Sequence, residues 1–246
     1  MSELFKKSNN QQPLLCFAHR GGRGHGTENT LATIEIGLSQ KAYGIEIDVW
    51  NVDGILLVTH DRRLGRVVQG EGQLLSLKSD DIASLKNYDD SKVPTLIEVL
   101  YLVGNKAALN IEIKGPNCAE LIAKQLQIFC NTTGISDQNY VISSFDHQQL
   151  YWLKENVPQL RRGVLTCNIP TDNAKCCDIL GAYSFHPSID FFNQVLIDDA
   201  KKRHAKVFIY TVNDKDDFEI LSSMGVDGVF SDYPDRVALF NQSLQE

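Results

Sequence analysis

Nine short β-rich runs, spaced by segments of helical period, constrain this chain more than any other feature of its sequence. In order they are LLCFAH, GIEIDVW, ILLVTH, ALNIEIK, YVISSF, RRGVLTC, AYSFHP, KVFIYTV and GVFSD. The periodicity predicts helices over 29–41, 94–104, 118–131, 146–156, 171–181, 193–204 and 214–224. Such alternation calls for a parallel sheet covered by helices, and 246 residues suit either one eightfold α/β barrel or two small domains, between which length alone does not choose. Nine strands are one too many. The excess lies in GIEIDVWNVDGILLVTH, where Asp53-Gly54 joins two runs and leaves no room for the helix that a parallel crossover requires. These two runs must form an antiparallel hairpin, with one arm in the barrel. The expected class is therefore α/β, a (β/α)8 TIM barrel with a hairpin after strand 2. Residues 1–13 read as an N-terminal tail and 14–246 as one barrel domain. Residues 62–93 insert about thirty residues before the next helix, against the roughly 2 to 6 usual for a barrel connection. Beginning right after His60-Asp61, this insertion should cap the site.

The ionisable residues fall at the strand ends. In FAHRGGRGHGTENTL, His19 and Arg20 stand at the lip of the first strand, before a glycine-rich turn of the kind that lets phosphate approach backbone. Folding about Asp53-Gly54 brings Glu46 and Asp48 level with Val58 to Asp61, so that His60 lands beside two carboxylates. Side chains alternate along a strand, so Glu46 and Asp48 share one face, as do Glu112 and Lys114. Isolated charges of this kind cost several kcal/mol to bury unless partners or a metal match them. A structural salt bridge, such as Lys114 with Glu112, would account for one such pair. Seven ionisable groups on one rim point instead to a reaction site at the C-terminal face of the barrel.

Three carboxylates without a cysteine ligand suit a hard divalent cation, Mg²⁺ or Ca²⁺. Glu46, Asp48 and Glu112 supply three negative charges and Arg20 and Lys114 two positive ones, a sum of −1 that one divalent ion turns into +1. That sign attracts a phosphodiester monoanion. Two histidines facing such a site suit general acid–base work. A dinucleotide site is the competing reading of GGRGHG, because an acidic pair follows it at roughly the fingerprint's spacing of about 20 residues. Its glycines are not spaced as G-x-G-x-x-G, and the second strand enters a hairpin where a helix is required.

A formal net charge of −7 provides no electrostatic footprint for nucleic acid or an anionic membrane. No run reaches the 18 or so apolar residues of a span, and MSELFKKSNNQQ lacks a signal peptide's apolar core, so a soluble cytoplasmic protein is expected. The six cysteines show no C-x-x-C pair, which argues against disulfides and thiolate zinc.

In order along the chain, AHRGG, TENTL, IEIDVW, DG, VTHD, PTLIEVL, NIEIKGP, VFIYTVND and GVDGVFSDYPD resemble the glycerophosphodiester phosphodiesterase family over about residues 14–238. The resemblance implies a phospholipase C-like phosphodiesterase barrel and metal-dependent hydrolysis of glycerophosphodiesters to glycerol 3-phosphate and an alcohol. It also implies that His19 and His60 are the acid–base pair, that Glu46, Asp48 and Glu112 hold the metal, and that Arg20 and Lys114 clamp the phosphate. Thr27 and WNVDG depart from the family pattern at positions that bear none of this chemistry. Glu28 and Asn29 read as helix-capping and supporting groups, His25 as a solvated loop residue, and His147 and His204 as helix-surface residues. Phe145, His186 and Tyr210 are candidates for the substrate wall. The expected ligand is a small glycerophosphodiester, with no nucleic acid and no stable membrane association. Two rivals are a non-catalytic phosphodiester-binding module and a phospholipase-type lipid phosphodiesterase. The first would be expected to lack a histidine or a ligand carboxylate, and the second to expose an interfacial surface.

Overall fold

The computed structural model describes residues 11–245, so most of the expected tail lies outside the described residues. Eight strands pair in parallel around a closed ring: β1 (Leu15–Ala18), β2 (Gly44–Val52), β4 (Ala108–Ile113), β5 (Tyr140–Ser144), β6 (Arg161–Thr166), β7 (Ser184–Pro187), β8 (Lys206–Ile209) and β9 (Gly228–Ser231). Pairing of β1 with both β9 and β2 closes the ring. The remaining strand, β3 (Ile55–Val58), runs antiparallel to β2 with Trp50 opposite Leu57, as the Asp53-Gly54 turn requires. The expected (β/α)8 barrel with its hairpin is the fold observed.

The pleat of β2 sorts its residues. Ile45, Ile47 and Val49 point outward into the main core, packed beneath the surrounding helices. Those helices are α1 (Leu31–Ser39), α3 (Leu96–Val103), α4 (Ala119–Thr133), α5 (His147–Asn156), α6 (Cys176–Leu180), α7 (Gln194–Lys202), α8 (Lys215–Ser223) and α9 (Pro234–Ser243). Inside the ring, Phe17, Phe208 and Phe230 fill the lower barrel, with Phe17 and Phe230 stacked at 5.2 Å. Above the rim, the face of β2 that carries Glu46 and Asp48 continues as Trp50 and Val52. These join Leu57, Val68, Leu74, Ile82, Leu85 and Val93 in a separate apolar cluster. That cluster seats the 62–93 segment, which contains the short helix α2 (Ser79–Ile82), against the hairpin.

Two helical expectations need correction. The segment 171–181 is helical only from Cys176 to Leu180, because Pro170, Thr171, Asp172 and Asn173 form turns first. The terminal helix α9 was not expected, although Pro234 at its first turn is a recognisable start signal.

Because the insertion has its own apolar cluster, Leu74→Ala should act there first. A loss of about 2 to 5 kcal/mol is expected for truncating a fully buried leucine. Amide exchange should accelerate over 62–93 while β4 to β8 stay protected, and uniform acceleration would contradict the separation of the two cores.

Candidate active site

Barrel register assembles the site. Pairing of β2 with β4 sets Asp48 beside Glu112, and pairing of β1 with β2 sets Ala18 beside Ile45, so that His19 follows next to Glu46. Carboxylate oxygens of Glu46, Asp48 and Glu112 lie within 4.8 Å of one another, all three side chains buried. Lys114 Nζ is 2.8 Å from Glu112 Oε1 and 3.7 Å from Asp48 Oδ1, and Arg20 Nε is 3.4 Å from Asp48 Oδ2. The salt bridge considered from sequence thus exists, inside a larger constellation.

The glycine-rich turn shapes this cluster. Arg20, Gly21 and Gly22 take φ of 51°, 85° and 96°, a left-handed path that glycine follows without steric cost. A Cβ on Gly21 would also sit 3.0 Å from Ile34 of α1. The bend aims the Arg20 backbone N–H at Glu46 Oε2, 2.7 Å away. The amides of Gly22 and Gly24 donate to the His19 and Asp232 carbonyls, so these two are taken up by backbone and do not face a phosphate. Glu28 and Asn29 do not cap α1, because Thr30 does, accepting from the Thr33 amide. Asn29 instead donates to Asp48 Oδ2 at 2.9 Å, and Glu28 accepts from Arg20 Nη1 at 2.8 Å.

Each proposed acid–base histidine is held by an aspartate. His19 Nδ1 lies 2.7 Å from Asp232 Oδ1, and His60 Nδ1 lies 2.7 Å from Asp61 Oδ1. Nε2 of His19 faces Glu46 Oε2 at 4.0 Å. Asp232 is also fixed by Arg23 and Asn213, at 2.8 and 2.9 Å. Sequence reading missed it, although closing the barrel predicts it: Ala18 pairs with Ser231, and His19 and Asp232 are the next residues on each strand. The indole of Trp50 donates to the His60 carbonyl at 3.1 Å, tying the hairpin's returning arm to its outgoing one.

Burial and charge set the protonation states. Burial raises Glu46 well above the ordinary carboxylate range, and Asp48 and Glu112 add to the effect. Burial together with Asp48 pushes Glu112 up to about 7, against the pull of Lys114. Burial would also raise Asp48, but Arg20, Lys114, His60 and Asn29 outweigh it and hold this carboxyl below its usual value. Both histidines are shifted down by burial, His19 against its bond to Asp232 and His60 against the charge of Asp48.

The remaining candidates divide. Phe145 is exposed on the rim, its ring 5.9 Å from that of Tyr210 and 5.8 Å from Lys114 Nζ. Tyr210 donates to the Thr166 carbonyl at 2.9 Å. His186 does not form an open wall. It is buried inside the barrel, 2.7 Å from Ser184 Oγ and packed on Phe230, and burial pushes it down to about 3, so it stays neutral. His186 and Tyr210 line a cavity of about 20 Å³ beneath the site, together with His19, Glu46 and Glu112. His25 pairs with Asp235 at 2.7 Å, His147 opens α5 with Nε2 3.0 Å from the Leu165 carbonyl, and His204 lies in the turn after α7.

The donor set fits a hard divalent cation. It is all oxygen, and Glu46 Oε1 is buried without a hydrogen-bond partner among the described residues, which a bound cation would relieve. Without a cation, Glu112 gives the fold a definite pH dependence. Its folded value of about 7 exceeds the ordinary carboxylate value, so the folded state binds more protons over that interval and stability falls as pH rises from about 4.5 to 7. In chelator, the melting temperature should decline across that interval, and Glu112→Gln should make the decline shallower, leaving the share that the raised Glu46 carries. An equal slope in the variant would place the proton elsewhere.

Comparison with known proteins agrees with this geometry. Residues 19–236 match the model of the glycerophosphoryl diester phosphodiesterase family. The chain is 33% identical over 240 residues to a glycerophosphodiester phosphodiesterase of Caldanaerobacter subterraneus subsp. tengcongensis, covering 91% of this chain and 96% of the relative. It is 30% identical to one of Bacillus altitudinis, covering 93% and 98%. An Oleispira antarctica phosphodiesterase solved in complex with the product sn-glycerol-3-phosphate superimposes with a TM-score of 0.84 at 28% identity, covering 94% of this chain and 97% of that one. With a barrel of this topology and a family match that spans nearly its whole length, the chain belongs to the glycerophosphoryl diester phosphodiesterase family of phosphodiester hydrolases.

Proposed function

We propose that the protein hydrolyses glycerophosphodiesters to sn-glycerol 3-phosphate and an alcohol, with His19 and His60 as the acid–base pair. The observation that carries this reading is the pairing of each histidine's Nδ1 with an aspartate, beside a buried carboxylate triad and two cationic side chains. Holding Nδ1 leaves Nε2 as the nitrogen that exchanges a proton with substrate. One imidazole then takes the proton of the attacking hydroxyl, and the other supplies a proton to the departing alkoxide. A lowered affinity for protons suits whichever imidazole acts as the base near neutral pH. Arg20 and Lys114 face the phosphoryl oxygens and stabilise the charge they carry at the transition state. Phe145 and Tyr210 offer the glycerol carbons an apolar side, and His186 supports the floor from below.

Glu46, Asp48 and Glu112, all ionised, would hold one Mg²⁺ or Ca²⁺, which with Arg20 and Lys114 would bring the summed site to +1 and would polarise a phosphoryl oxygen. The Oleispira protein's bound product supports the same substrate class here. We read residues 14–246 as one domain, with 62–93 overhanging the rim and helping to choose the alcohol. An open pocket of about 490 Å³ lies between that segment and the turn after β1, bounded by Arg66, Val67 and Tyr88 on one side and Gly24, Thr27 and Glu28 on the other. Six free cysteines suit a reducing cytoplasm, and among the described residues no helix is long and apolar enough to cross a membrane. A small soluble diester, and not nucleic acid, is the partner this surface favours.

Assay of glycerophosphocholine with Mg²⁺ or Ca²⁺ tests the reading, and metal-dependent release of glycerol 3-phosphate is expected. His19→Ala or His60→Ala should cut kcat by roughly 10² to 10⁴ while substrate affinity changes little. A near-normal rate in either variant removes that histidine from the proton transfers.

Chelation should abolish turnover reversibly and lower the melting temperature, because an ion bound only by the native state stabilises it. Glu46→Gln or Asp48→Asn should weaken metal affinity first, with partial recovery of activity at excess metal. Full activity in chelator, with an unchanged melting temperature, would reduce the triad to a salt-bridge network.

A further inference from the structure

We propose that Arg66, carried by the insertion, is a positioning residue that locks His60 and Arg20 in place together. The inference rests on the functional reading above for what those two residues do, and on geometry for the rest. Arg66 Nε donates to Asp61 Oδ2, while the other oxygen of Asp61 holds His60 Nδ1 at 2.7 Å. The far edge of the same guanidinium meets Glu28, with Nη2 2.5 Å from Oε1 and Nη1 3.3 Å from Oε2. Glu28 in turn accepts from Arg20 Nη1 at 2.8 Å. A single side chain therefore braces the aspartate behind one histidine and the glutamate behind the phosphate-facing arginine. The planar guanidinium meets the two carboxylates with separate edges at once, a geometry that the single nitrogen of a lysine reproduces only in part.

The segment holds Arg66 firmly. Gly65 takes φ of 110° and its amide donates to the Val68 carbonyl at 2.8 Å, closing a tight turn around Arg66. Val68 is buried in the insertion's apolar cluster, which also contains Trp50 and Leu57 of the hairpin that delivers His60. The two carboxylates differ in how much they depend on this strut. Glu28 also has Arg23 at 3.5 Å, whereas among the described residues Asp61 has no cationic partner other than Arg66 and His60. Loss of Arg66 should therefore disturb His60 more than Arg20. The Arg66 side chain is half exposed, so solvent screens its ion pairs and they add little to global stability. Its effect belongs in kcat.

The test compares wild type, Arg66→Ala, Arg66→Lys, Asp61→Asn and the Ala/Asn double variant. Turnover by wild type establishes the functional reading. Arg66→Ala is then expected to lose roughly 10- to 100-fold in kcat, the usual worth of a group that orients a site residue, with a smaller loss of glycerol 3-phosphate affinity by calorimetry and a nearly unchanged melting temperature. Arg66→Lys should recover part of the kcat, and the double variant should lose less than the product of the two single losses, as expected when both act on His60. The imidazole Nδ1 proton of His60 supplies a readout that needs no turnover: a protected ¹⁵N-coupled resonance in wild type, broadened by exchange in Arg66→Ala. Unchanged kcat, product affinity and His60 resonance in Arg66→Ala would overturn the proposal while leaving the functional reading intact. A wild type that turns over no glycerophosphodiester would overturn that reading, and the His60 resonance would still decide whether the strut exists.

Discussion

The upper half of this barrel depends on keeping three carboxylates together in a buried space. Removing charges of one sign from water is costly, and placing them within 4.8 Å of each other adds repulsion. The surroundings offset this by direct bonds: the Arg20 amide to Glu46, the Asn29 side chain to Asp48, and Lys114 to Glu112. Left-handed backbone at Arg20 and Asn29 is what lets one short turn reach two of the three carboxylates. Gly21 and Gly22, which look in the sequence like part of a phosphate loop, continue the left-handed path that begins at Arg20.

The same economy of partners recurs at the histidines. Each imidazole is fixed through Nδ1 by an aspartate, His19 by Asp232 after β9 and His60 by the next residue, Asp61, and each aspartate is fixed by an arginine, Arg23 for Asp232 and Arg66 for Asp61. Glu28 ties the two halves together by touching Arg20, Arg23 and Arg66. The proton transfers proposed for these imidazoles depend on such support, because a ring free to rotate loses its alignment. The insertion thereby reaches Asp61 and Glu28, through one turn of backbone and the Arg66 guanidinium.

Several elements were legible along the chain because their causes are local. Alternating strand and helix periods define the barrel, and the two residues at Asp53-Gly54 leave room for nothing but a hairpin. Side-chain alternation puts Glu46 with Asp48 and Glu112 with Lys114, and the hairpin puts Asp48 level with Thr59, whose amide donates to the Asp48 carbonyl at 3.0 Å. Local signals misled at 171–181, where apolar spacing suggested a full helix across residues that prefer turns, and in part at Glu28 and Asn29, which support Arg20 and Asp48 as expected but do not cap α1.

What the sequence by itself determined was the number and kind of elements, and the identity of the charged residues at their ends, because backbone periodicity and turn chemistry act over a few residues. Only the tertiary structure decided how those ends support one another. Asp232 reaches His19 across 213 positions of sequence because β9 closes on β1. His186, at a strand end like the others, is drawn into the apolar interior against Phe230 and lost as a titrating group. Arg66 finds Glu28 because an apolar cluster seats the insertion on the hairpin. Such long-range partners are chosen by ring closure and by burial of apolar area, neither of which leaves a periodic trace in the chain.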